Sequence, residues 1–127
     1  MSARTSYAKR SVPRRETDVR LRDILAAIAK IRRYTAGMDF RAFADDEKTI
    51  DAVIRNFAVI GEAANHLPDD YIGRHSDIPW AEMRGIRNVI IHEYFGVSME
   101  IIWETIQSDL PAVEGSLRAV IAGKKEQ

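Results

Sequence analysis

Eight consecutive positions, Arg87-Asn88-Val89-Ile90-Ile91-His92-Glu93-Tyr94, hold four side chains suited to phosphate and proton chemistry. Arg87 offers a permanent charge and a forked donor geometry that matches phosphate oxygens. His92 titrates near neutrality and can serve as general base or acid toward a ribose 2′-OH or a leaving oxygen. Asn88 can orient the histidine or a phosphate oxygen. Together they suit phosphodiester cleavage that needs no metal. The apolar neighbours Val89, Ile90, Ile91 and Phe95 mark the stretch as packed, and buried polar groups must find partners or cost free energy. The same spacing also fits an inter-helix salt bridge at Arg87 and a hydrogen-bonded core histidine at His92.

On a helical wheel advancing roughly 100° per residue, Tyr94 falls about 20° from Arg87. Asn88 and His92 are four apart and adjacent on one face. Met83, Ile86, Val89 and Ile90 take the opposite side, toward the subunit's own core. The other face presents Arg84, Arg87, Tyr94, Asn88 and His92, interleaved with Ile91 and Phe95. It is apolar enough to want cover, which predicts packing against a second copy. Arg87 and His92 diverge by about 140° on an ideal helix. They meet at one phosphate only if the helix ends irregularly near His92 or a two-fold partner supplies the other half.

The elements that must position this stretch are helical. Thr17 or Asp18 can cap a first helix with the stripe Leu21, Ile24, Leu25, Ile28 and Ile31, and Gly37 ends it. Residues 37–44 read as a loop. Asp45 or Asp46 opens a second helix with Ile50, Val53, Ile54, Phe57 and Ile60, where Gly61, Ala63 and Ala64 allow close approach. Pro68 stops it, and residues 68–79 read as a loop. Pro79-Trp80 starts the third helix, where the missing N–H of proline costs least, and Gly96 closes it. Ser98 caps a fourth helix with Ile102, Ile106, Leu110, Val113, Leu117, Val120 and Ile121, and Pro111 predicts a kink near Asp109. No stretch alternates with period two. The expected fold is an all-α, up-and-down four-helix bundle with a kinked last helix. Its organisation is a flexible basic arm over 1–16, the helical domain over 17–122 and a polar tail over 123–127.

A chain of 127 residues suits one domain, and an apolar fraction of 46% is too high for disorder. With no cysteine there is no disulfide framework and no thiolate chemistry. No apolar run approaches the ~20 residues of a membrane span, and the N-terminus does not read as a secretory signal. A cytoplasmic location is expected. Net charge is zero, but five of the nineteen basic residues and one of the nineteen acids fall in residues 1–16. The mildly acidic body argues against broad nucleic-acid binding, so RNA chemistry would need a local basic pocket.

Arg87-Asn88-x3-His92-x-Tyr94 resembles the Arg-x4-6-His signature of HEPN ribonucleases, and the form extended by tyrosine is similar to the HepT-like toxin family. Ile60-Gly61-Glu62-Ala63, Trp80, Trp103 and Asp109-Leu110-Pro111 agree, over about residues 18–121. The resemblance implies a helical homodimer acting as a metal-independent endoribonuclease toxin, with Arg87 and His92 at the dimer cleft. It implies a partner too: a minimal nucleotidyltransferase (MNT-type) antitoxin that neutralises the toxin by attaching AMP to Tyr94, with higher assembly of the two open. AMP at Tyr94 would add negative charge and bulk beside Arg87, where an RNA phosphate must sit.

Around this motif, Glu62 could pair with Arg87 or orient His92, or be an ordinary buried carboxylate. Arg84 is a supporting candidate on the same face. His66 and His75 flank a loop without zinc-ligand spacing, so neither metal nor cofactor is expected. Trp80 and Trp103 read as core or interface. The function expected is thus the toxin of a toxin–antitoxin pair. The alternative is a non-catalytic helical module that docks a nucleotidyltransferase and presents substrate to it.

Overall fold

The structure is a computed structural model that describes residues 14–81, 83–84 and 98–126. Helix α1 spans Arg14–Thr35, short α2 Phe40–Ala44, α3 Glu47–Asn65 and short α4 Asp69–Arg74. Trp80, Ala81, Met83 and Arg84 are helical. The last rod comprises α5 (Met99–Glu104), a π-helical turn (Thr105–Asp109) and α6 (Leu110–Glu126). Among the described residues there is no strand, and the chain is the all-α bundle its periodicity predicts.

The apolar stripes meet as their spacing requires. Leu21, Ile24, Ile28 and Ile31 of α1 are buried with Val53, Phe57 and Ile60 of α3 and with Ile102, Ile106, Leu110 and Leu117 of the last rod. Each such side chain contributes about 1.5–3 kcal/mol relative to exposure. Helices α1 and α3 form the principal pair. They run antiparallel: α2 joins the end of α1 to the start of α3, while Asp18 near the start of α1 acts electrostatically on Tyr71, beyond the end of α3.

Local chemistry sets most boundaries. Gly37 takes φ +78°, a left-handed conformation that glycine adopts without strain and that ends α1. The Asp46 carboxylate accepts from Thr49 N at 3.0 Å and opens α3. Ser98 Oγ accepts from Glu100 N at 3.1 Å and opens α5. The π-helical turn ends directly before Leu110-Pro111. A proline ring clashes with the carbonyl four residues back and supplies no N–H, and a wider i→i+5 turn relieves both. The expected kink near Asp109 is therefore a π-turn.

Three expectations need correction. Thr17 and Asp18 lie inside α1 rather than capping it, because the buried Thr17 is packed as part of the helix face. Residues 37–44 are not all loop: Asp39 accepts from Ala42 N at 2.8 Å and starts α2, which buries Phe43 against Trp103 with ring centroids 5.2 Å apart. Residues 68–79 likewise contain α4, which buries Tyr71. Separately, helix runs to Glu126, through most of the polar tail.

Candidate active site

Arg87, Asn88, His92 and Tyr94 lie outside the described residues, as do Ile86, Val89, Ile90 and Gly96. The residues that lead into this stretch are described from α4 to Arg84. Tyr71 packs its ring on His75 at 4.5 Å and edge-on to Trp80 at 6.1 Å. Trp80 is 3% exposed, and its Nε1–H donates to the His75 carbonyl at 2.8 Å. That carbonyl also accepts from Ile78 N at 3.1 Å. Burial pushes the Tyr71 phenol above its ordinary value and the charge of Asp18 adds to this, against a smaller opposite pull from Arg74. Met83 N donates to Pro79 O at 3.2 Å, so Pro79 does open the helix as its ring favours. Met83 is buried, in agreement with the wheel, and Trp80 is buried as the core residue it was read to be.

Arg84 does not belong to the outward face where the wheel puts it. It is part-buried, and its Nε donates to the Ala64 carbonyl at 3.3 Å, in the last turn of α3. The reason is electrostatic. A helix C-terminus carries partial negative charge and unsatisfied carbonyls, and a nearby cation satisfies both.

Glu62 is not buried. Its side chain is 48% exposed, and Oε2 lies 3.6 Å from His66 Nδ1. His66 Nδ1 also sits 2.8 Å from the Glu62 carbonyl oxygen. A carbonyl only accepts, so Nδ1 is the protonated nitrogen in this arrangement. Glu62 and His66 thus form part of the C-terminal cap of α3, alongside the turn Arg84 reaches.

A second feature left no local signal. Arg32 of α1 pairs with Glu114 of α6, which also binds Arg118 at 3.2 Å. These two elements frame a cleft of about 600 Å³ lined by Arg32, Arg33, Thr35, Gln107, Pro111 and Glu114 among others. Neither Glu62 nor Arg84 lines it. Among the described residues, no three acidic or imidazole side chains gather as a metal site. None of the described helices is long and apolar enough to cross a membrane.

Comparison with known proteins gives one consistent result. The family model for ribonuclease HepT-like proteins matches residues 24–120. A probable ribonuclease HepT of Thermococcus cleftensis is 42% identical over 95 residues, covering 75% of this chain and 86% of that protein. A Methanocaldococcus jannaschii protein provisionally named an RNase is 40% identical over 100 residues, 79% of this chain and 83% of its own. One from Caldanaerobacter subterraneus, named in the same way, is 39% identical over 89 residues, 70% and 80% respectively. No solved structure matches the chain.

Proposed function

The chain belongs to the HepT-like ribonuclease family, and from that premise we propose that it is an endoribonuclease toxin whose chemistry is carried by Arg87 and His92. Cleavage of RNA follows from the family at the coarse level. The observation that carries the finer reading is that the family match, residues 24–120, contains the whole motif Arg87-Asn88-x3-His92-x-Tyr94.

In the proposed reaction His92 takes the proton of a ribose 2′-OH. The 2′-oxygen forms a bond to the adjacent phosphorus as the bond from phosphorus to the 5′-oxygen breaks, and the departing oxygen receives a proton. The products are a 2′,3′-cyclic phosphate and a 5′-hydroxyl end. Arg87 stabilises the charge that develops on the non-bridging oxygens, and Asn88 orients the imidazole or a phosphate oxygen. Two copies of the chain form the cleft in this reading, because one ideal helix splays Arg87 and His92 apart. The anchoring of the segment just before Arg87, through Trp80 and Arg84, supports a role that demands fixed geometry.

Regulation in this reading acts on Tyr94. A nucleotidyltransferase partner directs the Tyr94 oxygen onto the α-phosphorus of ATP, releasing pyrophosphate and leaving AMP on the ring. The added phosphate repels RNA from Arg87. Expressing the chain without such a partner tests the proposal. Wild type arrests growth and degrades RNA, and His92→Ala does neither. Equal growth and intact RNA with both would overturn it.

A further inference from the structure

Arg84 precedes Arg87 by three residues. Its guanidinium is engaged by the protein's own main chain through Nε, which donates to the Ala64 carbonyl at 3.3 Å. The same carbonyl accepts from Leu67 N at 3.2 Å, which fills both lone pairs. Ala63 and Ala64 are buried, and their small side chains leave the guanidinium a path to the end of α3. Because the donor is Nε, the bond lies only a few rotatable bonds from the backbone. It therefore fixes where Arg84 sits along α3, and with it the point from which the Arg87 segment departs.

We propose that Arg84 is a positioning residue of the ribonuclease site: bonded to Ala64 at the end of α3, it sets the placement of Arg87 and His92 without touching RNA. The proposal rests on the assignment of Arg87 and His92 to the chemistry. A misplacement of about 1 Å costs up to roughly 100-fold in rate. A residue that bound phosphate by charge would instead act on RNA affinity and on its salt dependence.

Three substitutions separate these roles. Arg84→Met keeps the apolar stem and removes the donor. Arg84→Gln places an N–H donor at the bond count of Nε and removes the charge. Arg84→Lys keeps the charge and moves the donor one atom outward. Steady-state cleavage of a mixed-sequence single-stranded RNA is measured well below each variant's melting temperature, with His92→Ala as control.

For Arg84→Met the proposal expects kcat lowered roughly 10- to 100-fold, with KM unchanged within about two-fold. Gln restores kcat better than Lys. Wild-type kcat in Arg84→Met overturns it, as does a raised KM that Lys rescues and Gln does not. Should Arg84→Met fail to fold, the order of Gln and Lys alone decides. If His92→Ala is inactive while Arg84→Met runs at full rate, only the positioning role falls. If His92→Ala is fully active, the site assignment falls, and this proposal with it.

Discussion

The indole of Trp80 and the main-chain carbonyl of His75 are joined by a hydrogen bond of 2.8 Å, which closes the turn between α4 and the start of the third helix. Because Ile78 N also serves that carbonyl, losing the indole leaves no orphaned acceptor. Trp80→Phe is therefore expected to cost only about 1 kcal/mol. Trp80→Ala removes a fully packed side chain and is expected to cost about 3–5 kcal/mol. Denaturant titration of both variants checks this. Equal losses would mean that the hydrogen bond, not burial, holds the turn.

The Asp46 cap makes α3 sensitive to acid. Hydrogen bonds from Thr49, backbone first and then side chain, hold its carboxyl below the ordinary carboxylate value. A folded pKa below the unfolded one contributes stability that is present above the unfolded value and lost as pH falls through the folded one. Melting temperatures of wild type and Asp46→Ala should differ at pH 7, and the difference should shrink progressively as pH falls below the ordinary carboxylate range. A difference that stays constant from pH 7 down through the acid range would contradict the cap.

Glu114, with 12% of its side chain exposed, ties Arg32 and Arg118, which are both largely exposed. Exposed partners and solvent screening keep such a bridge modest. Glu114→Gln should lower stability by about 1 kcal/mol or less. The deficit should shrink in high salt, because screening weakens the native pairing as well. A salt-independent loss measured by thermal melting would instead point to packing of the carboxylate stem.

The proposed modification of Tyr94 has its own readout. Incubation with the nucleotidyltransferase partner and ATP should add adenylyl groups, seen by intact mass, and abolish cleavage. Tyr94→Phe should gain no mass and remain active in the presence of partner and ATP. Loss of activity without a mass change would place neutralisation in binding alone.

Much of the fold could be read from single residues with local jobs. Gly37, Asp46, Ser98 and Pro111 mark ends and a kink because each acts on backbone within a turn of itself. The short helices α2 and α4 escaped such reading. Five or six residues show no period, and their worth lies in Phe43 meeting Trp103 and Tyr71 meeting Trp80. Arg84 was legible as important but not in direction. A wheel ranks faces by hydropathy and cannot see a carbonyl twenty residues back. Arg32 and Glu114, eighty-two apart, carry no local signal at all. Burial was one of the readings open for Glu62 beside its small neighbours, yet Gly61 and Ala63 face the core and Glu62 is exposed.

The account depends above all on His92 transferring protons in a cleavage that Arg87 assists and no metal serves. Purified wild type and His92→Ala are incubated with the same RNA in excess EDTA, and turnover is measured. The account predicts undiminished wild-type cleavage, with a fall of roughly 10²–10⁴-fold in His92→Ala. Abolition of wild-type cleavage by EDTA, or equal rates for the two proteins, would contradict it.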